Sequence, residues 1–196
     1  MQNPEKIREV RNVAQPVSAT EDSEKRTVEG RAILWNTVSD GLSFEEIIEP
    51  TALDGVIAKS NVFALLDHDR SRGILARCKN GKGTLTLEID DKGLLYRFEA
   101  PKTALGDELL EYLRRGEISE SSFCFTVASD TWEKVGEDKW RRTIHQIDEL
   151  FDVSPVYDAA YSKTTVNLRG KEQAERSMQP VAPPAEYYEK LMRQLK

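Results

Sequence analysis

Apolar and polar residues alternate along most of this chain, and the period of two marks strands. Residues 28–35 (Val-Glu-Gly-Arg-Ala-Ile-Leu-Trp) predict a strand, with Gly30 marking a bulge or a close approach by another element. A short strand follows at 44–48, and Pro50 and Thr51 start a short helix that runs to about Ala58. Val62 to Leu66 is a continuous apolar run, the mark of a buried strand, and it leads straight into Asp67-His68-Asp69. Strands at 73–78, 84–89 and 94–99 are separated by the turn sequences Asn80-Gly81-Lys82-Gly83 and Asp90-Asp91-Lys92-Gly93, so this part reads as an antiparallel meander.

One segment breaks the alternation decisively. Residues 103–115 place Leu105, Leu109, Tyr112 and Leu113 on one helical face. Asp107 and Glu108 sit early, Arg114 and Arg115 sit late, and Gly116 ends the helix, as the macrodipole and C-capping favour. Alternation then resumes: Ser122, Cys124 and Thr126 point one way, while Phe123, Phe125 and Val127 point the other. A polar turn is expected at 129–139, then one or two strands within 140–156, and a closing strand at 166–168. On an unbroken strand His145, Ile147, Glu149 and Phe151 share one face, and Asp152 falls on the other.

The two ends differ from the middle. Residues 1–27 are strongly charged, with Ile7, Val10 and Val13 favouring a short strand before a loop. Residues 28–170 form the main domain, 171–184 a charged and Pro-rich linker, and 185–196 a short amphipathic helix suited to docking on another surface. The fold class is therefore α+β and β-rich, a barrel or closed sheet with a few helices.

Charge and composition narrow the function. A net charge of -6 argues against a nucleic-acid binder, which carries a basic stripe. No apolar run is long enough to span a membrane and no hydrophobic signal segment follows Met1, so a soluble cytosolic protein is expected. The 2 cysteines, Cys78 and Cys124, lack metal-site spacing and suit a reducing compartment. No cofactor or metal is expected: Asp67, His68 and Asp69 on one strand would alternate faces and fail to converge on an ion.

What chemistry remains lies in three places. His68 stands at a strand end beside carboxylates, a setting that keeps an imidazole basic. Ser122 stands on a stiff strand with its hydroxyl opposite the phenylalanine face. A later strand carries His145, Glu149 and Asp152. Together these are the parts of a serine hydrolase, although spacing alone does not bring them together.

The segment order resembles the prohead protease family of tailed bacteriophages, the capsid-maturation serine proteases. The matching residues are Val28-Glu29-Gly30-Arg31-Ala32, Glu46-Ile47-Ile48-Glu49-Pro50-Thr51-Ala52-Leu53 and Leu66-Asp67-His68-Asp69. They continue through 110–116 with Ile118-Ser119, then Ser122-Phe123-Cys124-Phe125 and Glu149-Leu150-Phe151-Asp152-Val153-Ser154-Pro155-Val156, within roughly 26–168. The resemblance implies an antiparallel β-barrel wrapped by helices, like herpesvirus assemblin. It implies Ser122 as nucleophile and His68 as general base. Its substrates would be the major capsid protein with its scaffold segment, and the chain itself. The place of action would be the immature prohead in the host cytoplasm, with dimerisation a further expectation. Assemblin places its third member five residues before a serine; here the residue five before Ser154 is Glu149, with His145 and Asp152 as rivals. Two departures stand out: Ser121 precedes the nucleophile where an apolar residue is usual, and Tyr157-Asp158-Ala159-Ala160 replaces a Pro-Ala pair. A catalytically silent assembly protein of the same fold is the competing expectation.

Overall fold

The computed structural model describes residues 7–13, 15–19, 26–39 and 42–157. The expected strand at 166–168, the linker at 171–184 and the helix at 185–196 lie outside the described residues.

Eleven strands form two sheets among the described residues. They are β1 (Glu9–Val13), β2 (Ser18–Ala19), β3 (Thr27–Leu34), β4 (Glu45–Ile48), β5 (Asn61–Ala64), β6 (Ala76–Lys79), β7 (Lys82–Gly83), β8 (Leu85–Ile89), β9 (Gly93–Glu99), β10 (Glu120–Lys134) and β11 (Trp140–Val156). The helices are α1 (Val56–Lys59) and α2 (Ala104–Arg115), with 3₁₀ turns at Pro50–Leu53 and Arg70–Arg72. The first sheet runs β1-β10-β11-β5-β6-β7 with β4 also on β11, and the second runs β2-β3-β9-β8. The β-rich α+β class is therefore observed. The two sheets are open and do not close into one continuous barrel among the described residues. The expected meander is divided, because β6 and β7 belong to one sheet and β8 and β9 to the other. Nor is the pairing wholly antiparallel: β4 and β5 both run parallel to β11.

The core lies between the sheets. Val28, Ile33 and Leu94 of the second sheet meet Phe123, Phe125, Ile144, Ile147, Leu150 and Val153 of the first, all buried. Phe123 and Phe125 stack at 4.9 Å, which fixes the inward face of β10 and turns Ser122 and Cys124 to the other side. Helix α2 forms as its pattern predicts. Thr103 Oγ1 accepts from the Gly106 N–H, and Gly116 ends the helix in the left-handed region at φ 73. Its apolar face packs on the core through Leu109, with Leu105, Tyr112 and Leu113 half-buried beside it.

Three local departures matter for the site. The polar turn shrinks, because β10 runs to Lys134 before β11 starts at Trp140. The strand before His68 stops at Ala64, and Asp67 and His68 both take positive φ, 52 and 59. Such a pair is costly for side-chain-bearing residues, about 1–3 kcal/mol each, and persists only where neighbours hold it. Here the Asp67 N–H donates to the Pro155 carbonyl at 3.0 Å and the Asp69 N–H to Leu66 at 3.0 Å. Finally, β11 is bulged. Its core residues Ile144, Ile147, Leu150 and Val153 recur every third position, which an unbroken strand does not allow.

Candidate active site

The first feature of the site is the pairing of β10 with β11. Ser122 stands opposite Ser154 and Cys124 opposite Asp152, but Phe125 stands opposite Leu150. Phe151 is therefore an extra residue, and its ring turns away to meet the Arg8 guanidinium 3.9 Å from its centroid. Because of this bulge Asp152 shares the face of Ser122 and Cys124 while Leu150 and Val153 stay in the core.

The left-handed turn at Asp67 and His68 then brings the imidazole over that face. His68 Nε2 lies 2.6 Å from Ser122 Oγ, and His68 Nδ1 lies 2.5 Å from Asp152 Oδ1. Ser154 Oγ donates to the same Asp152 oxygen at 2.7 Å. The chain of bonds runs from a hydroxyl through an imidazole to a carboxylate that is itself held by a second hydroxyl. The His68 side chain keeps 24% of its surface in solvent while Asp152 keeps 10%, so the carboxylate is shielded and the ring remains approachable. The turn after His68 is anchored in turn. Asp69 accepts from the Ser71 N–H at 2.9 Å, and Arg72 pairs with Glu108 of α2 at 2.5 Å.

The third position differs from the expectation of Glu149. That residue stands opposite Thr126, four places along β10 from Ser122. At strand rise this separates it from the serine by roughly 13 Å, and the bond to His68 Nδ1 is made by Asp152 instead. The reason is the bulge, which moves Asp152 onto the site face. His145 is engaged elsewhere: its Nδ1 meets Glu49 Oε2 at 2.9 Å and its Nε2 meets Thr131 Oγ1 at 2.9 Å.

The neighbouring groups sort themselves. Ser121 faces the core, where its Oγ lies 3.0 Å from the hydroxyl of the buried Tyr96. Gly30 makes room for that pair, since a Cβ there would lie 2.4 Å from the Tyr96 hydroxyl and 2.8 Å from Ser121 Oγ. The close approach expected at Gly30 is this contact. Cys124 is no rival nucleophile: burial, then the charge of Asp152, pushes its thiol up to about 12. Among the described residues no group of three or more histidine, cysteine or carboxylate side chains is disposed to hold a metal ion.

Ser154 and Asp152 were the residues the sequence underweighted. The signal for them was the spacing of Ile144, Ile147, Leu150 and Val153, which announces bulges and so invalidates simple alternation along β11.

A β-rich fold that lines up serine, histidine and aspartate in this way has the arrangement of a serine hydrolase. A model of the caudovirus prohead serine protease family matches residues 14–181, and the chain belongs to that family. It is accordingly a serine protease of phage capsid maturation. Among solved structures the fold is similar to that of the bacteriophage T4 capsid assembly protease, gp21. That similarity has a TM-score of 0.50 at 11% identity and covers 77% of this chain and 98% of the other. A search of curated protein sequences finds no match.

Proposed function

We propose that Ser122 is the nucleophile, His68 the general base and Asp152 the residue that orients His68. The observation that carries this is the continuous hydrogen-bonded line from Ser122 Oγ through both ring nitrogens to Asp152 Oδ1. In the reaction Ser122 attacks the scissile carbonyl carbon as its proton passes to His68 Nε2. Asp152 holds the Nδ1–H tautomer and stabilises the imidazolium. His68 then returns the proton to the leaving amine, and water hydrolyses the acyl-enzyme by the same route. Ser154, by binding Asp152, fixes the carboxylate rotamer. Backbone N–H groups supply the oxyanion donors in this account.

The substrates on this reading are the scaffold segments of the major capsid protein, and the protease itself, cut inside the assembling prohead in the host cytoplasm. The finer fold reading is a barrel of the assemblin type built from two sheet halves. It is supported by the way β3 lies against β1 and β10 while β8 comes close to β6 and β7. Among the described residues no helix is long and apolar enough to cross a membrane.

Co-expression with the capsid protein tests the proposal. The wild-type chain is expected to shorten the capsid protein, read by intact mass over time, and Ser122→Ala is expected to leave it whole. Equal trimming by both, or trimming lost only in Ser121→Ala, would overturn the assignment of the nucleophile. Assembly without trimming in either case would favour a silent assembly protein.

A further inference from the structure

The strand that carries Ser122 has no free edge beside it. On one side β10 pairs with β11, and on the other with β1 in the register Val10↔Cys124, Arg11↔Phe123, Asn12↔Ser122 and Val13↔Ser121. Ser122 is wholly buried, and its Oγ lies 2.9 Å from the Arg11 carbonyl oxygen as well as 2.6 Å from His68 Nε2. A hydroxyl has one proton and here has two acceptors. A proton given to Arg11 is not available to His68, so β1 both covers the serine and competes for the proton that catalysis moves.

An extended peptide binds to a sheet by pairing with an edge, and its reacting carbon must come within about 3–3.5 Å of the nucleophile. The main chain of β1 already fills that position. With β1 in place no second strand can pair with β10 there.

The charges on β1 are arranged for departure. Arg11 is bonded to Glu9 and Glu46, and Arg142 is bonded to the same two carboxylates, all four side chains being buried. Removing one partner from a buried ion pair is strongly destabilising because a charge is left uncompensated. Removing β1 does not do this. Glu9 and Arg11 leave together as a neutral pair, and Glu46 keeps Arg142 at 3.0 Å, with Asp130 also on Arg142 at 2.6 Å. Among the described residues β1 is moreover bonded in the sheet to β10 alone.

We propose that β1 is a displaceable strand that keeps the protease latent. It occupies the edge of β10 on which the scissile segment must lie, and an extended substrate strand takes its place. This rests on the serine-protease reading of Ser122.

A reversible lock tests it in the full chain. In Val10→Cys the new thiol faces native Cys124 across the strand pair. Cross-strand Cα atoms about 4.5–5.5 Å apart lie within disulfide range. Two rates are read, labelling of Ser122 by a fluorophosphonate and trimming of the co-expressed capsid protein. The oxidised form is expected to lose about tenfold or more in both, with dithiothreitol restoring them. Val10→Cys with Cys124→Ala is expected to ignore oxidation. The double variant Glu9→Gln with Arg11→Gln loosens the strand without an unpaired charge and is expected to label faster than wild type. Equal rates in the oxidised and reduced forms, with both active, would overturn the latch and leave the protease reading standing. Failure of wild type, the reduced form and the double variant alike to label or cut would sink the protease reading, and the latch with it.

Discussion

Asp152→Asn against Glu149→Gln is the comparison that separates the structural reading of the triad from the one spacing suggested. The Asp152 carboxylate touches His68 Nδ1 at 2.5 Å, and its value in the reaction is the attraction it exerts once the ring becomes an imidazolium. Two unit charges about 4 Å apart interact by about 4 kcal/mol at an effective dielectric of about 20. The shielding of Asp152 supports using that value rather than one for bulk water. At 1.36 kcal/mol per tenfold in rate, removing the charge costs about 10³-fold in kcat. If the ring also adopts the wrong tautomer the loss approaches about 10⁴-fold. The amide can still accept from Ser154, so the fold is expected to hold. Glu149, opposite Thr126, is expected to cost less than about threefold when changed to Gln. The assay is the rate of capsid-protein trimming, with circular dichroism as the folding control. A large loss in Glu149→Gln with little in Asp152→Asn would refute the reasoning.

Other expectations follow from individual contacts. Ser121→Ala removes the bond to Tyr96 and is expected to cost about 1 kcal/mol of stability by denaturant titration while leaving Ser122 labelling intact. Gly30→Ala drives a Cβ into that same pair and is expected to cost about 1–3 kcal/mol, seen as a lower Tm. Glu46→Ala takes one carboxylate from a buried cluster in which Arg11 keeps Glu9 and Arg142 keeps Glu9 and Asp130, and the charge left uncompensated is expected to cost about 3–5 kcal/mol, read by denaturant titration. Burial works against the charge of Glu9, but Arg142 and Arg11 outweigh it and hold its carboxyl below the ordinary 4.5. The folded value is the lower one, so this stabilisation is complete above the ordinary value and is lost as pH falls through the depressed one. Tm should therefore fall less steeply with acid below pH 4.5 in Glu9→Gln than in wild type, and equal slopes would count against the cluster.

Much of this was legible in the sequence, and the failures share a cause. Helix α2 was legible because propensity, charge order and capping agreed over 12 residues. The inward face of β10 was legible because Phe123 and Phe125 alternate cleanly with Ser122 and Cys124. His68 and Ser122 were legible as types, yet what joins them is a left-handed turn at Asp67 and His68, and apolar runs carry no sign of it. Glu149 follows from the resemblance alone, through its place five residues before Ser154. Asp152 falls on the opposite face only by strict alternation, which fails on a strand with bulges, one of which moves Asp152 onto the face of Ser122. Division of the meander between two sheets was hidden too, since pairing partners are set by the whole core and not by the turns that separate strands.

The central claim is that Ser122 is a nucleophile activated by His68. The most direct measurement is to treat the full chain with a fluorophosphonate and locate the adduct by peptide mass. An adduct is expected on Ser122 in wild type, none in Ser122→Ala, and a rate reduced by at least about 10²-fold in His68→Ala. An adduct on Ser121, or labelling of Ser122 that does not depend on His68, would contradict it.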